Sequence, residues 1–128
     1  MQYLLDTHVL IWWITSDNRL SETAKKLIKN CQNNIYWSVA SSWEISIKYA
    51  LGKLDFDESP ETLLPSELEK NHIETLAIQN DHAFLAGELP FHHKDPFDRM
   101  LIAQARIEHF GIISNDSKLK LYAVDSYW

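Results

Sequence analysis

His92-His93-Lys94-Asp95-Pro96-Phe97-Asp98-Arg99-Met100-Leu101-Ile102-Ala103-Gln104-Ala105-Arg106 states a helix start and sets a carboxylate where packing asks for none. Asp95 carries the short acceptor side chain of an N-cap, and Pro96 falls at the first helical position, where its missing N–H costs nothing. Asp98 follows inside the first turn. Leu101, Ile102 and Ala105 continue its spacing of three and four, so Asp98 points along the buried stripe and not toward bulk water. A second capping group, answering the free N–H groups and the positive helix end, would also explain it. Three further carboxylates in comparably awkward places decide between a cap and a site.

Outward from this helix, strands and helices alternate. Residues 2–5 read as a short apolar strand that ends at Asp6-Thr7-His8. In the next segment Val9, Leu10, Trp13 and Ile14 could face a sheet, which leaves Ile11 and Trp12 on another side. Ser21 can cap a helix with Ala24, Leu27 and Ile28 inward and Lys25, Lys26 and Lys29 outward. Ile35-Tyr36-Trp37 reads as the second strand. Ser38 or Ser41 opens a helix that runs to Leu51 and stops at Gly52. Its apolar stripe is Ala40, Trp43, Ile47, Ala50 and Leu51, with Glu44 inside the stripe. A salt bridge to Lys48, worth about 0.2–0.5 kcal/mol on a surface, does not account for an inward carboxylate.

Residues 55–70 are acidic and give at most a short, exposed helix around Thr62 to Glu69. Ile73 to Ile78 is expected as the third strand, with Asp81 capping a helix from His82 to Leu89. Gly111 to Asp116 is a fourth strand with an acid at its carboxyl end, and Leu121 to Val124 a fifth. The alternation predicts an α/β domain with a mostly parallel sheet covered by helices. Such sheets bind ligands beyond the carboxyl ends of their strands, where Asp6 and Asp116 fall. Asp98 and Glu44 lie on helices that could close over that edge.

Composition narrows the function. A chain of 128 residues with 45% apolar content suits one domain, residues 1–128, with a real core. No apolar run approaches the ~20 residues of a membrane span, and residues 1–5 lead straight into a strand, so neither membrane anchor nor signal peptide is expected. The lone Cys31 offers no internal disulfide and no thiolate zinc site, which suits a reducing, cytoplasmic location. A net charge of −6 argues against a simple polyanion binder. If RNA or DNA is the substrate, bound cations, a local basic patch or a basic partner must offset the repulsion.

Gathering Asp6, Glu44, Asp98 and Asp116 needs a counter-charge. Two carboxylates at ~4 Å repel by on the order of 4 kcal/mol at an effective dielectric of 20. Oxygen ligands without a Cys or His motif select a hard cation, Mg²⁺ or Mn²⁺, which takes substrate phosphates readily. Its chemistry would be phosphodiester hydrolysis.

These residues also carry a resemblance. Asp6-Thr7-His8, Glu44 with Ile45 and Lys48, the run from His93 to Arg99, and Asn115-Asp116 together resemble a PIN domain, and within that family the VapC toxins of bacterial toxin–antitoxin pairs. The likeness spans nearly the whole chain, and Asp-Pro-Phe-Asp-Arg is its most specific part. It implies a three-layer PIN-like α/β domain whose central parallel sheet has the order 3-2-1-4-5. It implies a Mg²⁺- or Mn²⁺-dependent endoribonuclease with Asp6, Glu44, Asp98 and Asp116 as the acidic site. Asp6 and Asp98 would be the most direct ligands and Asp116 the most peripheral, holding metal through water. Thr7 and Ser114 would orient the carboxylates; family members commonly have Thr where this chain has Ser114, so the hydroxyl is kept. With Lys48 and Arg99 they form the candidate substrate-contacting set. The resemblance further implies a homodimer, held inactive by a small antitoxin whose tail enters the groove. A basic tail suits an acidic toxin.

Other readings fit less well. His92 and His93 adjoin the key helix but are expected as bystanders, and Asp125 is expected to lie too far out to join the acids. A PIN-like module kept only for protein binding would not need all four acids. A phosphoacceptor receiver domain would need two adjacent acids after its first strand, and a phosphatase of the Asp-x-Asp kind is excluded by His8.

Overall fold

A computed structural model describes residues 1–128. Five strands form one parallel sheet in the order β3-β2-β1-β4-β5, the expected topology. In chain order the elements are β1 (Gln2–Leu5), α1 (Thr7–Thr15), α2 (Glu22–Lys29), β2 (Asn34–Ser38), α3 (Val39–Ala50), α4 (Pro60–Lys70), β3 (Glu74–Leu76), α5 (Asn80–Glu88), α6 (Pro96–Glu108), β4 (Gly111–Ile113), a 3₁₀ helix (Ser117–Tyr122) and β5 (Ser126–Tyr127).

Alternation along the strands creates two cores, one on each face of the sheet. Tyr3 and Leu5 of β1, Ile35 and Trp37 of β2 and Ile113 of β4 pack against α1, α2, Ile45 of α3 and Leu64 and Leu68 of α4. Leu4 and Ile112 turn the other way, onto Ala86, Leu101, Ile102 and Ala105 of α5 and α6. β1 lies between β2 and β4, so its carboxyl end delivers Asp6 to the middle of the sheet edge. No helix is long and apolar enough to cross a membrane.

Three local expectations are corrected. The fifth strand is not Leu121 to Val124. Leu121 and Tyr122 close the 3₁₀ helix, because Leu119 and Tyr122 are buried three apart and Asp116 caps the segment; Ala123 and Val124 follow it, and β5 forms later. α4 is no exposed remnant: Pro60 sits in its first turn, and Leu64 and Leu68, four apart, enter the core. α5 begins at Asn80 and not behind Asp81, since the imidazole Nδ1 of buried His82 accepts the Gln79 N–H at 3.0 Å. Trp12, left on a second side of α1 by its spacing, is buried against Trp128 with Arg19 over its ring, so this helix is covered on two faces.

Candidate functional site

Local sequence aims each acid at the carboxyl edge. Asp6 ends β1 and caps α1 through the Thr7 N–H, so strand and helix both fix it. Glu44 projects from α3, which starts directly after β2 because the Ser38 hydroxyl caps it at Ala40. Asp98 lies in the first turn of α6, begun as the sequence predicts by Asp95 and Pro96. Asp116 follows β4 and caps the 3₁₀ helix. Asp6, Asp98 and Asp116 line one small recess with Leu101, Ile112 and Leu119.

Glu44 is inward for a reason other than the expected one. The predicted stripe of α3 largely faces solvent: Trp43, Ile47 and Leu51 are exposed, and the buried face is Ala40, Ser41, Glu44 and Ile45. A polar contact governs that face. Thr7 Oγ1 donates to Glu44 Oε1 at 2.9 Å and lies 2.8 Å from Ser41 Oγ, while Lys48 Nζ donates to Glu44 Oε2 at 2.6 Å. Small Ser41 lets α3 approach α1 closely, and the half-exposed Lys48 supplies one internal counter-charge.

Ser114 ties two more acids together. Its hydroxyl donates to Asp6 Oδ2 at 2.6 Å and accepts the Asp116 N–H at 3.1 Å. Asp116 Oδ2 lies 2.5 Å from His93 Nε2, and its Oδ1 accepts the Lys118 N–H at 2.9 Å. Asp98 differs, for its carboxylate accepts no hydrogen bond. Burial first, then the neighbouring Asp95 and Asp6 and more weakly Glu44, push its carboxyl up to about 7, with nearby His93 the one influence that lowers it. Burial also raises Asp6, against the lowering influence of Ser114, His8 and the Thr7 N–H. The acids therefore share one electrostatic field, although no three of them close into a finished cage around an ion.

The raised Asp98 carboxyl makes a stability prediction. Its folded value lies above the ordinary 3.8, so between the two the folded chain holds a proton that the unfolded chain has lost. This group therefore stabilises the metal-free fold as pH falls from about 7 toward 4, and destabilises it as pH rises. Asp98→Asn should raise the stability of metal-free protein at pH 8 by roughly 1–2 kcal/mol, after discounting for water at this partly exposed site. Denaturant titrations at pH 8 and pH 5 check it, and a gain no smaller at pH 5 would contradict the sign.

The remaining candidates fall into place around the acids, with one exception. Thr7, Ser114 and Lys48 touch them. Arg99 is buried, and its guanidinium donates to the carbonyls of Pro90, His93, Gly87 and Leu89 at 2.8–3.4 Å while stacking on Phe91. It is a clamp on the end of α5 and the 89–93 loop, not an available phosphate contact. His93, expected as a bystander, is buried against Asp116 and Tyr122 and is the residue that sequence reasoning missed. Its place directly before Lys94-Asp95-Pro96 was the available signal. Asp125, as expected, lies away from the acids, in a cleft at the opposite strand ends with Arg106 and His109. That cleft and one between α3 and α4 are roomier than the acidic recess, but neither gathers comparable chemistry.

The parallel sheet thus has carboxylates from four separate segments near its carboxyl edge, where folds of this kind bind their ligands. Comparison with known proteins specifies the lineage. The PIN domain model matches residues 3–125, and the chain belongs to the PIN domain family. It is 32% identical over 123 residues to ribonuclease VapC22 of Mycobacterium tuberculosis, covering 91% of this chain and 88% of that protein. Among solved structures it resembles VapBC2 of Rickettsia felis bound to a promoter DNA fragment, with a TM-score of 0.71 and 21% identity over 99% and 98% of the two chains. FitAcB of Neisseria gonorrhoeae matches with a TM-score of 0.69 and 16% identity over 98% and 96%.

Proposed function

We propose that this chain is a Mg²⁺- or Mn²⁺-dependent endoribonuclease, the toxin of a toxin–antitoxin pair, and that Asp6, Glu44, Asp98 and Asp116 form its metal site. One observation carries the reading: Asp98 is a half-buried carboxylate without a hydrogen-bond donor, set among other acids whose charge it feels. A divalent cation answers that imbalance. The donor set fits it, since every candidate atom is a hard carboxylate oxygen and no thiolate is near. Asp6 and Asp98 would hold the ion most directly, with Glu44 and Asp116 outside them. When bound, such an ion neutralises phosphoryl charge and makes water acidic enough to attack it.

The chain's own groups do the rest. Ser114 and the Thr7 N–H fix both oxygens of Asp6, and Thr7 and Lys48 fix those of Glu44. Lys48, a third exposed, is placed to meet a phosphate near Glu44. The relationship to VapC22, a ribonuclease by name, favours RNA as substrate. A likeness of fold to a toxin–antitoxin complex from Klebsiella pneumoniae favours an antitoxin partner. A homodimer and a cytoplasmic location complete the reading.

The test is cleavage of cellular RNA by purified protein, with the new ends mapped. Cutting that stops with a chelator and returns with Mn²⁺ supports the proposal. Absence of both cutting and calorimetric Mn²⁺ binding near neutral pH would instead make the chain a PIN-like protein-binding module.

A further inference from the structure

His93 takes part in no contact that the proposed chemistry requires, yet it is buried at the edge of the acidic recess and bonded at three points. Its backbone N–H donates to Tyr122 Oη at 2.6 Å, its Nδ1 lies 3.0 Å from the same oxygen, and its Nε2 lies 2.5 Å from Asp116 Oδ2. The Tyr122 hydroxyl decides the protons. Its oxygen accepts the His93 N–H, and the acceptor within reach of its own hydrogen is Nδ1, which is thereby left without a proton. The imidazole proton then sits on Nε2 and points at Asp116. Tyr122 is itself fixed, being buried in the core behind α6.

We infer that His93 is a positioning residue for Asp116: an imidazole anchored at Nδ1 by Tyr122, whose Nε2–H holds the Asp116 carboxylate in the orientation the metal site uses. The inference rests on the metal reading above and names a device within it. Asp116 comes from a short segment after β4, with one oxygen engaged by the Lys118 N–H of the 3₁₀ helix it caps. The Nε2–H is the only side-chain donor on the other oxygen, so without it the carboxylate could turn about its terminal bond toward solvent. Outer partners of this kind set ligand geometry in metal sites, and their loss typically weakens metal binding by about 10–100-fold. The same contact links the loop before α6 to the strand end, so the residues flanking Asp98 and Asp116 move as one unit.

Three substitutions separate positioning from packing. His93→Gln places an amide N–H near the position of Nε2 and should keep Mn²⁺ affinity, measured by calorimetry, within about threefold of the parent. His93→Phe keeps the ring but has no donor, and His93→Asn is polar but too short to reach Asp116; each should weaken Mn²⁺ binding by at least about tenfold. If the Phe variant does not fold, the Asn variant supplies the comparison. In an Asp116→Asn background the loss from His93→Asn should vanish, because a residue acting through Asp116 has nothing left to position. In metal-free protein, ¹⁵N imidazole spectra should show His93 as the Nε2–H tautomer, and Tyr122→Phe should abolish that preference.

Equal Mn²⁺ affinity in the Gln and Asn variants, or an undiminished loss in the Asp116→Asn background, would overturn the inference and leave the metal site standing. A parent protein that binds no Mn²⁺ would overturn both. A Nδ1–H tautomer would overturn the role of Nε2 whatever the metal does.

Discussion

Asp6→Asn should lower RNA cleavage by a factor of about 10³ or more while leaving the fold as stable as before. The two halves of this expectation come from the same contacts. Asp6 sits at the carboxyl end of the central strand, with Oδ1 receiving the Thr7 N–H at 2.7 Å and Oδ2 the Ser114 hydroxyl at 2.6 Å. In the asparagine variant the amide oxygen keeps the first bond. The amide nitrogen faces a serine oxygen that can turn to accept, so the contact is kept and only the Ser114 hydrogen gives up its acceptor. The variant also removes a charge that burial disfavours, since desolvation is the largest influence raising the Asp6 carboxyl. Stability should therefore change by less than about 1 kcal/mol, or rise. Activity has no such compensation, because a neutral amide supplies neither the charge nor the second hard oxygen that a divalent ion needs. Losing several kcal/mol of charge stabilisation, at 1.36 kcal/mol per tenfold, gives the factor stated. Initial rates on a defined RNA, beside thermal melts of both proteins, check both halves. Cleavage within about tenfold of the parent would remove Asp6 from the site.

How the sequence announced this arrangement differs from residue to residue. Asp95-Pro96 at the head of α6 was legible because capping is local: a short acceptor side chain and a fixed φ act within one turn, whatever the rest of the chain does. The sheet order was legible through family likeness, since no local pattern tells β1 that β4 will lie beside it. Glu44 was read as inward from an apolar stripe that in fact faces solvent. Its burial comes from Thr7, thirty-seven positions away, a contact that periodicity does not encode. Leu121 to Val124 reads as a strand because it is apolar, yet Leu121 and Tyr122 close the 3₁₀ helix that Asp116 caps. The deciding fact was tertiary, namely Tyr122 turning in to meet His93. Arg99 was misread for a similar reason, its charge being more visible in sequence than the carbonyls waiting for it.

Those carbonyls make the largest stability prediction. Arg99→Met should destabilise the chain by about 3–5 kcal/mol, and Arg99→Lys by about 2 kcal/mol. The guanidinium reaches Pro90 O and His93 O from Nη1, and Leu89 O and Gly87 O from Nη2, at 3.0, 3.1, 2.8 and 3.4 Å. Gly87 lies in the last turn of α5 and the loop from 89 to 93 has no regular structure of its own, so these donors satisfy carbonyls that water only partly reaches. Methionine fills much of the same volume, so the loss is chiefly of hydrogen bonds and of the stacking on Phe91 at 4.2 Å. Lysine keeps the charge and three donors on one nitrogen, but a single point cannot span carbonyls that a planar fork reaches from two sides. In a domain of this length each kcal/mol is worth roughly 3–5 °C, so the methionine variant should melt about 10–20 °C lower. The loop's looseness should also reach the acids, for Arg99 holds the carbonyl of His93 while His93 holds Asp116. At temperatures where Arg99→Lys remains folded, its Mn²⁺ affinity should fall with that of His93→Asn, and combining the two changes should add little. A methionine variant that melts with the parent would show that the four carbonyls are satisfied without Arg99, and independent losses in the lysine double variant would break the link from α6 through the loop to Asp116.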